Sequence, residues 1–269
     1  MTEHPSVILS LSGERCRVTC ANNPAAIRAL AHDVAPFVVG GEPTLDVSIE
    51  FDHTLMDPPA PGWKKFRMVR SEDGYVVSGP SHWIRISPGL DRVDARVIRY
   101  FQVATVLRIA LCTILPIRGQ GFLTHAAAIA GNSGGYLFPG RSGAGKSTIV
   151  ENSPGKRCLA EENAVVRKEN GEYQVFGFPL WARLYALSMI PEPTPLKGMF
   201  LLAKGSPQIN PVTSRHALTY LMRSVCFPLE DVESRNRVLD TCSKFVREVP
   251  VAELVFAKNP EFWRCIERD

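Results

Sequence analysis

The stretch LFPGRSGAGKST, beginning at Leu137, constrains the fold more than any other part of the chain. Residues Gly140 to Ser147 satisfy GxxxxGK[ST] in full, a pattern that works only where a buried strand delivers the chain into a glycine turn and a helix leads it away. The apolar YLF in front supplies the strand. The glycines let successive backbone N–H groups curl around a phosphate, Lys146 can bridge the outer phosphoryl oxygens, the Ser147 hydroxyl can ligate Mg²⁺, and the following helix presents its positive end. Arg141, Ser142, Gly143, Ala144, Gly145 and Thr148 complete the expected phosphate-binding segment. Arg141 and Ala144 are not dictated by the motif, and Arg141 is expected in solvent. The helix should be short, because Pro154 and Gly155 interrupt it within two turns.

Around this loop the hydrophobic pattern divides the chain. Residues 6–12, 15–20, 45–51, 66–70, 75–78 and 83–86 read as strands between turn residues, with a short capped helix in NNPAAIRALAHDVAPF. A small strand-rich domain is therefore expected over residues 1–95. The loop DHTLMDPPAPGW is where disorder is expected. From Asp94 the spacing turns helical, and 96–117 is expected as a helix joining the first domain to a second over 96–269. THAAAIA and GYLFPG read as a hairpin around GNSGG that leads into the phosphate loop. After the loop come a strand at CLA, a hairpin around ENG, a strand at PLKGMFLLAKG, helices near 214–225 and 229–247, a strand at 251–256 and a terminal helix from Pro260.

Composition narrows the setting. With 269 residues, 45% of them hydrophobic, there is material for one large domain or two modest ones. The net charge of +4 comes from scattered Lys and Arg, so nucleic acid is not an expected partner. The most apolar segment, Val103 to Ile117, is too short to span a bilayer and contains Arg108, and the N-terminal residues lack the pattern of a secretory signal. A cytoplasmic protein without a membrane partner is expected. The seven cysteines show no CxxC spacing and sit among apolar neighbours, which argues for core thiols over a zinc site at Cys16 and Cys20.

Phosphoryl transfer needs a cation near the outer phosphates and a group that orients or deprotonates the acceptor. Glu161 and Glu162 stand at the end of the short strand after the loop, where both could be supplied. Two carboxylates that close repel unless a cation lies beside them, which is a reason to expect Mg²⁺. His125, heading the strand before the loop, could project toward the nucleotide; His216, on a later helix, is a weaker candidate. Read alone, each of these also fits a bland structural or surface role. Trp181 and Arg183 in FGFPLWARLY could grip an acceptor or serve as a core Trp and a solvated Arg.

In order along the chain, HAAAIA, LFPGRSGAGKST, LAEEN and FGFPLW resemble the catalytic domain of the HPr kinase/phosphorylase superfamily, and more narrowly its shorter members, which include the lasso-peptide tailoring kinases. The resemblance runs from about His125 to the C-terminus, where VREVPVAELVFAKNPEFW is similar to the closing strand and helix of that domain. It implies an α/β (α+β) fold with a phosphoenolpyruvate-carboxykinase-like P-loop domain behind the strand-rich one. It also implies ATP and Mg²⁺, and phosphorylation of a serine-type hydroxyl on a peptide, a protein or a small metabolite. The catalytic set carried over is His125, Lys146, Glu161 and Glu162. Glu161 would position the acceptor and Glu162, with Ser147, would bind metal, the two roles being exchangeable.

The sequence departs from that family in three ways. Its acidic pair is Glu-Glu where aspartate-aspartate or aspartate-glutamate is usual, and a glutamate in place of aspartate carries its carboxylate one methylene further out. The glycine-rich signature by which HPr kinases handle their substrate is missing, and the first domain is unlike theirs, so HPr is not the expected acceptor. A nucleotide-binding regulatory protein without transfer activity and an ATPase are the competing readings. An edge strand of the first domain could pair with an extended peptide. Assembly into a homo-oligomer and ATP against GTP stay open.

Overall fold

The period-two alternation in the first hundred residues builds a sheet with one apolar face. In the computed structural model, which describes residues 5–55, 67–79, 81–180, 191–228 and 231–267, this segment forms β1 (Ser6–Leu11), β2 (Glu14–Thr19), β3 (Leu45–Phe51), β4 (Arg67–Ser71), β5 (Gly74–Gly79), β6 (His82–Ile86) and β7 (Arg92–Val97). They make one seven-stranded sheet in the order β1-β2-β3-β7-β6-β5-β4. β2, β3 and β7 run parallel, and the remaining pairs are antiparallel. In β3, Leu45, Val47 and Ile49 face the core while Asp46, Ser48 and Glu50 face solvent. The β2–β3 crossover contains α1 (Pro24–Asp33), started by Asn23, whose side chain accepts from the Ala26 N–H, and by Pro24 at the first helical position.

The expectation of a helix from residue 96 needs correction. Residues 92–97 are β7, pairing with β3 and β6, and Val93, Ala95 and Val97 are buried while Arg92 and Arg96 point out. Two neighbouring strands satisfy this segment's backbone, and that outweighs a helical spacing of apolar side chains. The boundary expected between residues 95 and 96 falls inside the strand. The helix, α2 (Gln102–Ile117), starts later because Gln102 Oε1 accepts from the N–H groups of Ile98 and Arg99, while Nε2 donates to Ser81 O. It is buried along nearly its whole length and packs against β6 and β7 on one side and against the second sheet on the other.

The second sheet has nine strands: β8 (Gly121–Thr124), β9 (Ala126–Ala130), β10 (Gly135–Pro139), β11 (Arg157–Ala160), β12 (Ala164–Glu169), β13 (Glu172–Gly177), β14 (Thr194–Lys204), β15 (Gln208–Pro211) and β16 (Val251–Phe256). The path β11-β9-β10-β14-β13-β12-β8 is extended by β16 on β14 and by β15 on β16. β10, β14 and β16 are mutually parallel, so the loops that follow them emerge at one edge. Among the described residues four helices complete this part: α3 (Lys146–Glu151), α4 (Ser214–Met222), α5 (Val232–Glu248) and α6 (Phe262–Ile266). The hairpin expected around ENG is β12–β13, with Asn170 and Gly171 at positive φ in its turn. The architecture is mixed α/β with two multistranded sheets and few helices.

The apolar core is continuous from β1–β3 through α2 to Phe138, Ile149 and Trp263 beside the phosphate loop. A buried ionic contact reinforces the junction: Arg167 of β12 donates to Ser12 O (2.5 Å) and to Glu14 Oε1 (3.1 Å), and Arg118 reaches the same carboxylate oxygen at 3.4 Å. All seven cysteines are free thiols, and burial pushes Cys16 and Cys112 upward, as suits core residues. No described helix is long and apolar enough to cross a membrane. Residues 56–63 of the loop expected to be disordered lie outside the described residues.

Candidate active site

β10 ends at Pro139, and the phosphate loop begins at the next residue. The Gly140 N–H donates to His125 O (3.0 Å), and the Ala144 N–H donates to Arg141 O (3.1 Å), which closes the turn. Glycine is required at both ends. A Cβ on Gly140 would lie 2.6 Å from that of Ala144, and one on Gly145, at φ +107°, would lie 2.5 Å from Phe256 Cζ. Helix α3 then runs for six residues before Asn152, Ser153 and Pro154, as the sequence predicts. Arg141, Ser142 and Ser147 are exposed, while Ala144, Gly145 and Thr148 are half-buried.

Lys146 is buried, and its ammonium donates to the carbonyls of Gly140 (3.0 Å) and Arg141 (3.4 Å), so it lies folded under the loop. Burial lowers its pKa below the ordinary lysine value, and the negative charge of Glu162 works against that shift. Glu162 thus acts electrostatically on Lys146.

His125 does not head a strand as expected. It occupies the break between β8 and β9, where its N–H donates to Ser224 O (2.7 Å) and its carbonyl accepts from Gly140. This break turns the imidazole out of the sheet's hydrogen-bonding pattern and toward β11. There Nε2 forms a hydrogen bond with Glu162 Oε2, and the Ala126 N–H donates to Glu162 O (3.2 Å). Both partners are about 30% exposed, so the pair opens to solvent.

The two glutamates differ. Glu162 meets His125, whereas Glu161 is buried and its charge acts on Cys158, whose thiol is pushed up to about 12 by burial first and by Glu161 second. Successive side chains leaving a strand point to opposite faces, and that accounts for the separation. His216 is exposed on α4, and its N–H caps onto Thr213 Oγ1 (3.2 Å).

Residues 94–268 match the family described as SynChlorMet cassette protein ScmC, and this is more than half of the chain. The chain belongs to the ScmC family. The matched region takes in His125, the whole phosphate loop and both glutamates, and leaves out β1 to β6. Comparison with curated proteins finds no match.

In this member of the ScmC family several supporting residues carry no motif. The Tyr220 hydroxyl accepts from the Leu202 N–H (3.3 Å) and stands behind Gly140. Ser224 holds the His125 backbone, and its hydroxyl also contacts Thr124 Oγ1 at 3.2 Å. Cys226 donates to Asn163 Oδ1 (4.0 Å), and its thiol is pushed up by burial although Arg108 and the His125 N–H pull it down. Only the packing of α4 on β16 and α5, and the bridge between Val225 and Thr124 at the end of β8, bring these groups to the loop, and periodicity does not reveal that. Trp181 and Arg183 lie outside the described residues.

Among the described residues no group of three or more His, Cys, Asp or Glu is arranged to hold a metal ion. A Mg²⁺ bound with phosphates needs only one or two protein oxygens. The exposed Ser147 hydroxyl and the partly exposed Glu162 carboxylate are oxygen donors of that kind, so the residues of the ScmC-family chain fit the cation.

Proposed function

We propose that the chain is an ATP-dependent kinase that transfers the terminal phosphoryl group to a hydroxyl of a peptide, a protein or a small metabolite, with an arrangement like that of the HPr-kinase and phosphoenolpyruvate-carboxykinase P-loop domains. One observation carries this reading. The His125–Glu162 pair is tied by backbone hydrogen bonds to the first residue of a complete phosphate loop, and the charge of Glu162 acts on the loop lysine. A loop that only stored nucleotide would not need an imidazole–carboxylate pair beside its lysine.

In the reaction the loop amides and Lys146 hold the polyphosphate in place. The acceptor oxygen attacks the terminal phosphorus, forming the new O–P bond as the bond to the bridging oxygen of the leaving diphosphate breaks. His125, with Nε2 engaged by Glu162, receives the acceptor proton at Nδ1, and the Glu162 carboxylate stabilises the imidazolium. Mg²⁺, held by Ser147 and Glu162, would neutralise charge on the phosphate oxygens. In this reading Glu162 orients the imidazole, and His125 takes the acceptor-positioning role that the resemblance assigns to Glu161.

The reading is tested by incubating the full chain with Mg²⁺, γ-labelled ATP and candidate acceptors drawn from the products of the same cassette, and following the label. Transfer by the wild type and its loss in Lys146→Ala support it. Undiminished transfer by Lys146→Ala contradicts it, and binding without transfer to any acceptor favours a nucleotide-binding regulator.

A further inference from the structure

We propose that the pocket at the carboxyl ends of β14 and β16 binds the nucleoside portion of the nucleotide, an inference that rests on the phosphate loop acting as such. The pocket has a volume of about 600 Å³, within the range of small-molecule sites. Gly145 and Thr148 of the phosphate loop form one wall. Lys204 and Pro207 after β14, and Phe256 and Asn259 after β16, form the others.

Three observations select this occupant. First, β10, β14 and β16 are parallel neighbours, with Lys204 beside Phe256 in register, so the loops after all three meet at one edge. Ligands of open α/β sheets bind outside the carboxyl ends of parallel strands.

Second, the pocket and the reactive groups lie on opposite sides of the loop. His125 and Glu162 belong to the β9–β11 side, while the pocket belongs to the β14–β16 side. They share no lining residue. A nucleoside triphosphate has the same polarity, with the transferable phosphate at one end and the nucleoside at the other. Once the terminal phosphate is beside Lys146 and His125, the chain of phosphates leads past Thr148 into the pocket.

Third, the lining suits a base and a ribose. Pro207 and the ring of Phe256 offer apolar surface, and Lys204 and Lys258 put two cations at the rim. The Oδ1 of Asn259 already accepts from the Glu261 N–H (3.1 Å), which leaves its Nδ2 as a donor for a ring nitrogen or carbonyl of a base.

The full chain in Mg²⁺ buffer is titrated calorimetrically with ATP, with GTP and with inorganic tripolyphosphate, before and after Ser206→Trp, which fills the pocket from an exposed turn. Thermal melting checks that the variant folds. The wild type should bind at least one of the nucleoside triphosphates about tenfold or more tighter than tripolyphosphate, a difference of about 1.4 kcal/mol. Ser206→Trp should bring that nucleotide down to the tripolyphosphate level while leaving tripolyphosphate unchanged. Equal affinity of the wild type for all three ligands, or a nucleotide preference that survives Ser206→Trp, overturns the inference and leaves the phosphate loop standing. Failure of the wild type to bind any of the three removes the phosphate-loop reading and the inference with it.

Discussion

His125 and Glu162 stand 37 residues apart in the chain and hydrogen-bond through Nε2 and Oε2, beside a lysine whose charge the same carboxylate supports. The contact depends on a break in one strand and the end of another. His125 leaves the ladder between β8 and β9, and Glu162 lies two residues beyond β11.

If this pair moves the acceptor proton, losing either member should cost about 10²–10³-fold in transfer rate, as general acid–base groups do. His125→Asn and Glu162→Gln should therefore each fall by that factor in kcat with nucleotide affinity changed much less, and the double variant should fall little further than the worse single one. Steady-state kinetics on the four proteins gives the answer. Fully multiplicative losses would show that the two act independently.

Lys146 provides a pH signature. Its pKa is lowered by burial, so in the free protein it loses its proton below the ordinary lysine value of 10.5, whereas a bound polyphosphate favours the charged form. Between the free and bound pKa values binding takes up a proton, so affinity should fall as pH rises through that interval toward 10.5. The same depressed pKa means that the unfolded chain holds more protons in that window, and this contribution to folding stability rises with pH there. Titrations with tripolyphosphate from pH 7 upward should show the decline. Lys146→Arg, which stays charged, should flatten it.

How much of this was legible in the sequence varies with the range of the cause. The loop, its abbreviated helix and the β12–β13 hairpin follow from local chemistry: Gly140 to Ser147, the NSPG stop and the Asn170–Gly171 turn. β7 was misread because VIRYFQVATVL carries helical spacing straight across its end, although the alternation of Val93, Ala95 and Val97 was present. β8 and β15 are four-residue strands whose pairing is supplied by distant partners, β12 and β16, and runs that short carry no decisive period. At the site, the phosphate segment follows from the spacing of its glycines, Lys146 and Ser147. The choice of Glu162 over Glu161 as the partner of His125 depended on which face β11 turns to β9, a fact of register.

Buried and exposed ion pairs should behave differently on removal. Arg167 and Glu14 are almost fully covered and join the two sheets, so Arg167→Ala leaves a buried carboxylate without its closest cation and should cost about 3 kcal/mol. Lys168, next in sequence, pairs with Glu248 in the open, and Lys168→Ala should cost under about 1 kcal/mol. Urea unfolding of the two variants distinguishes them. Equal costs would mean that the junction is not stabilised by this contact.

Gly145 joins the phosphate loop to the core that supports it. Its φ of +107° is one that side chains avoid, and the Phe256 ring leaves no room for a Cβ, with Cζ 2.5 Å from where it would stand. Phe256 is itself buried at the end of β16, against Phe262, so it cannot retreat freely. Gly145→Ala must therefore shift the backbone that aims the loop amides, and tripolyphosphate affinity should drop by about tenfold or more while the fold persists, since a displacement of about 1 Å is enough to spoil a positioned site. Two causes, the backbone angle and the ring contact, are separable. Phe256→Leu in the Gly145→Ala background removes the ring and should recover part of the affinity, leaving the share that belongs to the angle. Calorimetry on the single and double variants measures both shares, and a double variant no better than Gly145→Ala would assign the whole effect to backbone conformation.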